Sequence, residues 1–95
     1  MMLDDYVVDI LMRDLVGHDH QPTSFLIYLW LSYEATRRRR ERVSASYQTI
    51  ADSVGVSKTA AQTSVRWLVR RKLIETKKSS PTAVPSYLVL RPWLD

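Results

Sequence analysis

The sequence predicts a mainly α fold that ends in a small β-hairpin, and three observations carry that expectation. Apolar residues recur at helical spacing in two stretches ahead of residue 40. A serine followed by a short amphipathic run occurs twice between residues 46 and 71, with a glycine-containing turn between the runs. Two strand-like runs near the C-terminus flank a segment broken by prolines. Ninety-five residues, 45% hydrophobic and 25% charged, suit one globular domain, residues 1–95, with a modest core. There is no cysteine, so disulfides, thiolate zinc sites and thiol nucleophiles are excluded and packing alone must hold the chain together.

The elements follow in order. From Asp4 to Val16, Val7, Ile10, Leu11 and Leu15 recur at intervals of three and four, which predicts an N-terminal helix with one buried face. Gly17-His18-Asp19-His20-Gln21-Pro22 is expected to break it, with glycine near the end and proline beyond. Thr23 or Ser24 can cap a second helix running to about Arg39. Its first half, Phe25 to Leu31, is apolar on nearly every side, so it needs cover on two faces. One cover would be the helices that follow; the other is the acidic N-terminal helix, a second subunit, or both. The helix ends in Arg37-Arg38-Arg39-Arg40-Glu41-Arg42, cations suited to the negative end of a helix dipole.

Val43-Ser44-Ala45 fits a single strand. Ser46 is placed to cap a short helix from Tyr47 to Val54 with Ile50, Ala51 and Val54 on one face. Gly55-Val56-Ser57 forms a turn in which glycine supplies a left-handed position. Ser57 caps the next helix, Lys58 to about Arg71, with Ala61, Ser64, Val65 and Leu68 as a continuous inner stripe. Leu73 to Lys77 and Ser86 to Leu90 read as strands joined by a wide loop, since Pro81 and Pro85 forbid regular structure between them.

Charge narrows the function classes. The net +4 divides into −4 over residues 1–20, where five aspartates face Arg13 alone, and +8 over residues 21–95. Such a field favours polyanions. Nucleic acid leads a membrane surface as partner because no basic amphipathic helix accompanies the charge. The longest apolar run, Phe25 to Leu31, is far short of the roughly 20 residues that span a bilayer. The opening Met-Met-Leu-Asp-Asp carries acids where an export signal is positive, and a cytoplasmic protein is the expectation. His18-Asp19-His20 cannot complete a protein-built tetrahedral metal site, because no other His or Cys exists, so a plain loop is expected. No nucleophile elbow, phosphate-cradling glycine loop or paired-carboxylate motif occurs. Neither an enzyme nor a cofactor is expected.

Residues 46–74 carry the most specific signal. Ile50-Ala51-Asp52-Ser53-Val54-Gly55-Val56-Ser57 supplies an apolar residue, a small alanine where two helices would cross, a turn glycine, an apolar turn residue and a capping serine. Lys58 to Ile74 continues with a helix and its exit into a strand. Helix, short strand, helix, turn, helix, hairpin is also the winged-helix order. On these residues the chain resembles the winged helix-turn-helix regulators of the GntR and MarR type. The expected architecture is a winged helix-turn-helix with an extra N-terminal helix: 1–20 an acidic helix and loop, 46–71 the helix-turn-helix, 72–91 the wing. Two positions depart from the pattern. Lys72 stands where relatives often have the glycine that ends the recognition helix, so the exit needs another conformation or strain. Trp67 replaces a position that is often charged, and core packing, a plug against the wing or a dimer contact are its possible uses, with packing favoured.

On Lys58 to Arg71 the face opposite the inner stripe carries Lys58, Thr59, Gln62, Thr63, Arg66 and Arg70. Their donors and acceptors suit base edges, Lys toward guanine, Gln toward adenine and Thr toward the thymine methyl. Thr59, Gln62 and Thr63 are the candidates for base contact, because the N-terminal part of such a helix lies deepest in the groove. Lys58, Arg66 and Arg70 are the candidates for phosphates. The resemblance adds Lys77, Lys78 and Ser79 of the wing as minor-groove or backbone contacts; the two lysines read equally well as edge-strand charges that block aggregation. The Arg37 to Arg42 run reads better as helix-end dipole compensation than as a DNA surface, since its side chains fan around the helix.

The expected function is sequence-specific binding of double-stranded DNA by a homodimeric transcriptional regulator, with Asp4 to Val16 and Phe25 to Tyr33 supplying much of the dimer surface. A plasmid or phage replication or partition protein, and a protein-interaction module on the same fold, are the alternatives.

Overall fold

The centre of the molecule is the helix α1, Pro22–Arg38, which packs against most of the other elements among the described residues. The computed structural model describes residues 4–39 and 41–94. Arg40 of the arginine run, and the first three residues of the acidic segment, lie outside the described residues. Around α1 lie an N-terminal helix over residues 5–18, β1 (Arg42–Ser44), α2 (Tyr47–Val54), α3 (Lys58–Arg70), β2 (Ile74–Lys77) and β3 (Ser86–Val89). Four helices and one small antiparallel sheet make up the described residues.

Phe25, Ile27, Tyr28 and Leu31 of α1 are all buried, covered by α3 and α2, by β1 and β3, and by the second half of the N-terminal helix. Most of the helix is therefore satisfied within one chain, and only Leu26 and Tyr33 stay exposed among its large apolar residues, with Leu29 and Trp30 half-buried. The polar residues on its inner side are bonded: Ser32 Oγ donates to the Tyr28 carbonyl at 2.9 Å, and Tyr28 Oη donates to the Leu90 carbonyl at 2.9 Å. Burial pushes the Tyr28 hydroxyl up to about 12, so it remains a donor at any physiological pH.

The link from the N-terminal helix to α1 differs from the sequence expectation. Gly17 does not end the first helix but lies within its final turn, and Pro22 is the first residue of α1 rather than a stop beyond its predecessor. Proline suits that position because its missing N–H would have no helical partner there. Gln21, with no side-chain cap bond, takes the place expected for Thr23 or Ser24. The N-terminal helix is wound loosely, with i→i+5 bonding over Val7–Leu11 and Arg13–His18. Val7, Leu11 and Leu15 face the core, and Tyr6 stacks on Trp93 at 4.4 Å, which closes the C-terminal segment onto this helix.

The helix pair follows the sequence closely. Ser46 Oγ accepts from the Thr49 N–H at 3.1 Å and Ser57 Oγ from the Ala60 N–H at 3.0 Å, so each serine caps its helix. Gly55, at φ +88°, makes the turn. Ala51 and Ala61 are fully buried where α2 and α3 meet, small side chains that let the backbones approach.

The two C-terminal strands pair as a hairpin, and β1 joins them. The order is β1-β3-β2, all antiparallel, with Val43 opposite Tyr87 and Thr76 also opposite Tyr87. The first strand covers Arg42–Ser44, one residue earlier than the 43–45 read from sequence, so Ala45 lies beyond it and is held by its N–H to the Pro85 carbonyl at 3.2 Å.

The exit from α3 is where Lys72 replaces glycine. Lys72 adopts φ +59°, the left-handed region, while its N–H bonds the Val69 carbonyl at 3.0 Å and the Leu73 N–H bonds the Leu68 carbonyl at 2.9 Å. This is the paired 5→2 and 6→1 bonding that glycine commonly closes at a helix end. A side chain here carries a left-handed penalty of about 1–2 kcal/mol, against about 0.5–1 kcal/mol of extra chain entropy that glycine loses on folding. Lys72→Gly is expected to raise stability by up to about 1 kcal/mol, an increase of several degrees in Tm for a domain of this size. Thermal unfolding followed by circular dichroism checks it, and an unchanged or lower Tm would show that Lys72 is not strained.

Candidate functional site

α3 sorts its side chains into two opposed faces. Ala61, Ser64, Val65 and Leu68 are buried, as the inner stripe requires. Lys58, Thr59, Thr63, Arg66 and Arg70 are exposed, and Gln62 is half-buried between the faces. The helix is about 20 Å long at 1.5 Å per residue, so it presents a continuous polar ridge bearing three cations and no acid. Among the described residues none covers the ridge at Lys58, Thr59, Thr63, Arg66 or Arg70.

The hairpin loop lies beside the start of the ridge. Lys58 of α3, Lys78 and Thr82 to Pro85 of the loop, and Ser46, Tyr47 and Gln48 at the start of α2 line one open cleft of about 210 Å³. The fold thus brings Lys58 and Lys78, twenty residues apart in sequence, to the two sides of a single concavity. Lys77 and Ser79 are exposed nearby in sequence but do not line it. Backbone N–H groups at the starts of α2 and α3 add positive dipole ends on the same side of the molecule as Lys58.

The arginine run is partly consumed internally. Glu34, a buried acid in the last turns of α1, accepts from Arg37 Nη2 at 2.8 Å and Arg38 Nε at 2.7 Å. Arg42 reaches Ser86 Oγ at 3.1 Å. These residues therefore fan out and take local partners, as expected for a helix end. Burial opposes ionisation of Glu34, but the bonds from Arg38 and Arg37 and their charges outweigh it and hold the carboxyl below the ordinary carboxylate range.

Asp19 has a role that the sequence did not disclose. Its side chain is only 8% exposed and turns away from any loop-mounted metal arrangement toward the far end of α3. Asp19 Oδ2 accepts from Trp67 Nε1 at 3.2 Å and pairs with Arg71 Nε at 3.2 Å, while His18 Nδ1 lies 3.2 Å from Oδ1. Trp67 packs half-buried against the core, the favoured of its expected uses, with its indole N–H spent on Asp19. The Arg70 guanidinium sits 5.7 Å from the Trp67 ring centroid, so the same indole also steadies one of the ridge cations. Sequence separation hid this cluster, since residues 19 and 67 show no periodic relation; the half-exposed tryptophan on a polar helix face was the one available signal.

Burial also opposes ionisation of Asp19, but the bonds from His18 and Trp67 and the charge of Arg71 lower its carboxyl on balance. A carboxyl with a folded pKa below its unfolded value contributes stability above the unfolded value and loses it as pH falls through the folded one. With Asp19 and Glu34 both lowered, Tm is expected to be level down to about pH 5 and to fall below about pH 4. Asp19→Asn is expected to cost about 1–3 kcal/mol at pH 7 and to flatten that acid limb. Melting curves from pH 7 to pH 3 test both; an acid limb as steep in the variant as in the parent would remove Asp19 from the account. No protein-family model, curated protein or solved structure matches the chain, so the reading of this surface rests on its own geometry and chemistry.

Proposed function

We propose that the chain is a winged helix-turn-helix protein that binds double-stranded DNA, with α3 in the major groove and the β2–β3 loop as a wing on the adjoining backbone. The observation that carries this reading is the uncovered ridge of Lys58, Thr59, Gln62, Thr63, Arg66 and Arg70, backed by a fully buried aliphatic row on the same helix. A ridge of that kind on an ordinary surface helix would be unremarked. Here it stands at the outer helix of a tightly turned pair, in the basic part of the chain, with Lys78 drawn up beside Lys58.

Within the ridge, Thr59, Gln62 and Thr63 are assigned to base edges and Lys58, Arg66 and Arg70 to phosphates. The half-burial of Gln62 supports its assignment, since a partly fixed amide costs less entropy to align on a base than a free one. Lys78 on the cleft is the best-placed loop cation, with Lys77 and Ser79 extending the same contact. The reading extends to a homodimeric transcriptional regulator recognising a rough palindrome, with half-sites about 10 base pairs apart.

Gel-shift titration against a duplex obtained by selection from a random library, and against random duplex, tests the assignment. Gln62→Ala is expected to lower the preference for the selected site by about 1–3 kcal/mol while leaving random binding almost unchanged. Arg66→Ala is expected to weaken both equally and to reduce the slope of log K against log salt by about 1. Absence of any shift at low salt would defeat the DNA reading, and identical behaviour of the two variants would defeat the division into reading and anchoring residues.

A further inference from the structure

The loose winding of the N-terminal helix has a consequence for its outer surface. With turns wider than the 3.6 residues of an α-helix, residues four apart fall close to one axial line. Val7, Leu11 and Leu15 form the line that faces the core. The neighbouring line is Val8, Met12 and Val16, equally apolar but 42%, 40% and 39% exposed. Next to it, on the side away from the core, runs a charged exposed line, Asp5, Asp9 and Arg13.

We propose that Val8, Met12 and Val16 form the seam of a homodimer in which the N-terminal helices of two copies pair antiparallel about a twofold axis at Met12. The line is palindromic in side-chain type, so this axis sets Val8 against the partner's Val16 and each Met12 against the other, the self-complementarity a twofold contact needs. The flanking charges select the direction. In an antiparallel pair the same flank of both helices meets across the seam, so the charged line meets its own reversed copy. Arg13 then lies two residues, about 3 Å along the axis, from the partner's Asp9, within reach of its long side chain, and both pairs form at once. In a parallel pair the charged line would face the partner's core-facing line, leaving Arg13 and the aspartates without opposites.

Charge also disfavours other occupants. The seam sits in the segment of net charge −4, which repels nucleic acid and anionic membrane surfaces. The inference rests on the dimeric part of the proposed function and names its contact. It also narrows the expected dimer surface, since Phe25, Ile27, Tyr28 and Leu31 of α1 are spent inside one chain.

The absence of native cysteine gives a direct test, made without DNA. Met12→Cys places a single thiol on the axis, and mild oxidation is expected to convert most of the protein to a disulfide-linked dimer. Sedimentation equilibrium of the parent chain is expected to show a dimer, and Met12→Glu a monomer with unchanged helical circular dichroism. Arg13→Asp and Asp9→Arg are each expected to weaken the dimer several-fold, and the two together to restore it. A parent chain that stays monomeric at hundreds of micromolar overturns the seam, as does a dimer that neither cross-links through Met12→Cys nor responds to Met12→Glu. A dimer that passes these tests but shifts no duplex would instead count against DNA binding alone.

Discussion

Everything else in the structure depends on burying the apolar side of α1. A helix carrying Phe25, Ile27, Tyr28 and Leu31 has too little polar surface to face water, so the chain must wrap it. The wrapping sets the position of α3, which packs on α1 with Ala61, Ser64, Val65 and Leu68 buried and leaves its polar side, together with Val69, exposed. The ridge is thus a by-product of satisfying α1. Its exposure follows from packing and costs the fold nothing at the residues that would touch a ligand.

The same dependence explains how much of the molecule was legible in the sequence. The stretch from Ser46 to Arg70 could be read almost residue by residue, because each boundary there is fixed by a local interaction: a serine accepting from an N–H three residues on, a glycine at positive φ, an alternation of buried and exposed positions. The candidate ridge was legible for the same reason, being the complement of a local stripe. The segment from Gly17 to Pro22 was misread because proline serves both beyond a helix end and at a helix start, and local pattern does not choose between them. The pairing of β1 with β3, and the clasp of Asp19 on Trp67 and Arg71, join residues more than forty positions apart, so only the assembled core reveals them.

Electrostatics refines the picture that composition offered. A net charge of +8 over residues 21–95 suggested a diffusely basic body, yet Arg37 and Arg38 are engaged by Glu34, and Arg71 by Asp19. What remains without an acidic partner on α3 is Lys58, Arg66 and Arg70, with Lys78 alongside. Pairing has therefore removed part of the positive charge from the α1 end and from Arg71, while α3 keeps three cations without an acidic partner.

Asp19 connects the two surfaces proposed to meet partners. It follows directly on the helix that bears Val8, Met12 and Val16, and it grips α3 through Trp67 and Arg71, next to the Arg70 that Trp67 steadies. In a dimer built on the N-terminal helices, the distance between the two α3 ridges would be set by this short route: Met12 on the axis, the six residues Arg13–His18 that end the helix, then the Asp19 clasp. A flexible link in that position would let the ridges drift and would fit half-sites of many spacings. A nearly buried carboxylate with three partners holds that spacing instead, and the bonds through which Asp19 stabilises the fold are the same ones that keep α3 at a set angle to the N-terminal helix.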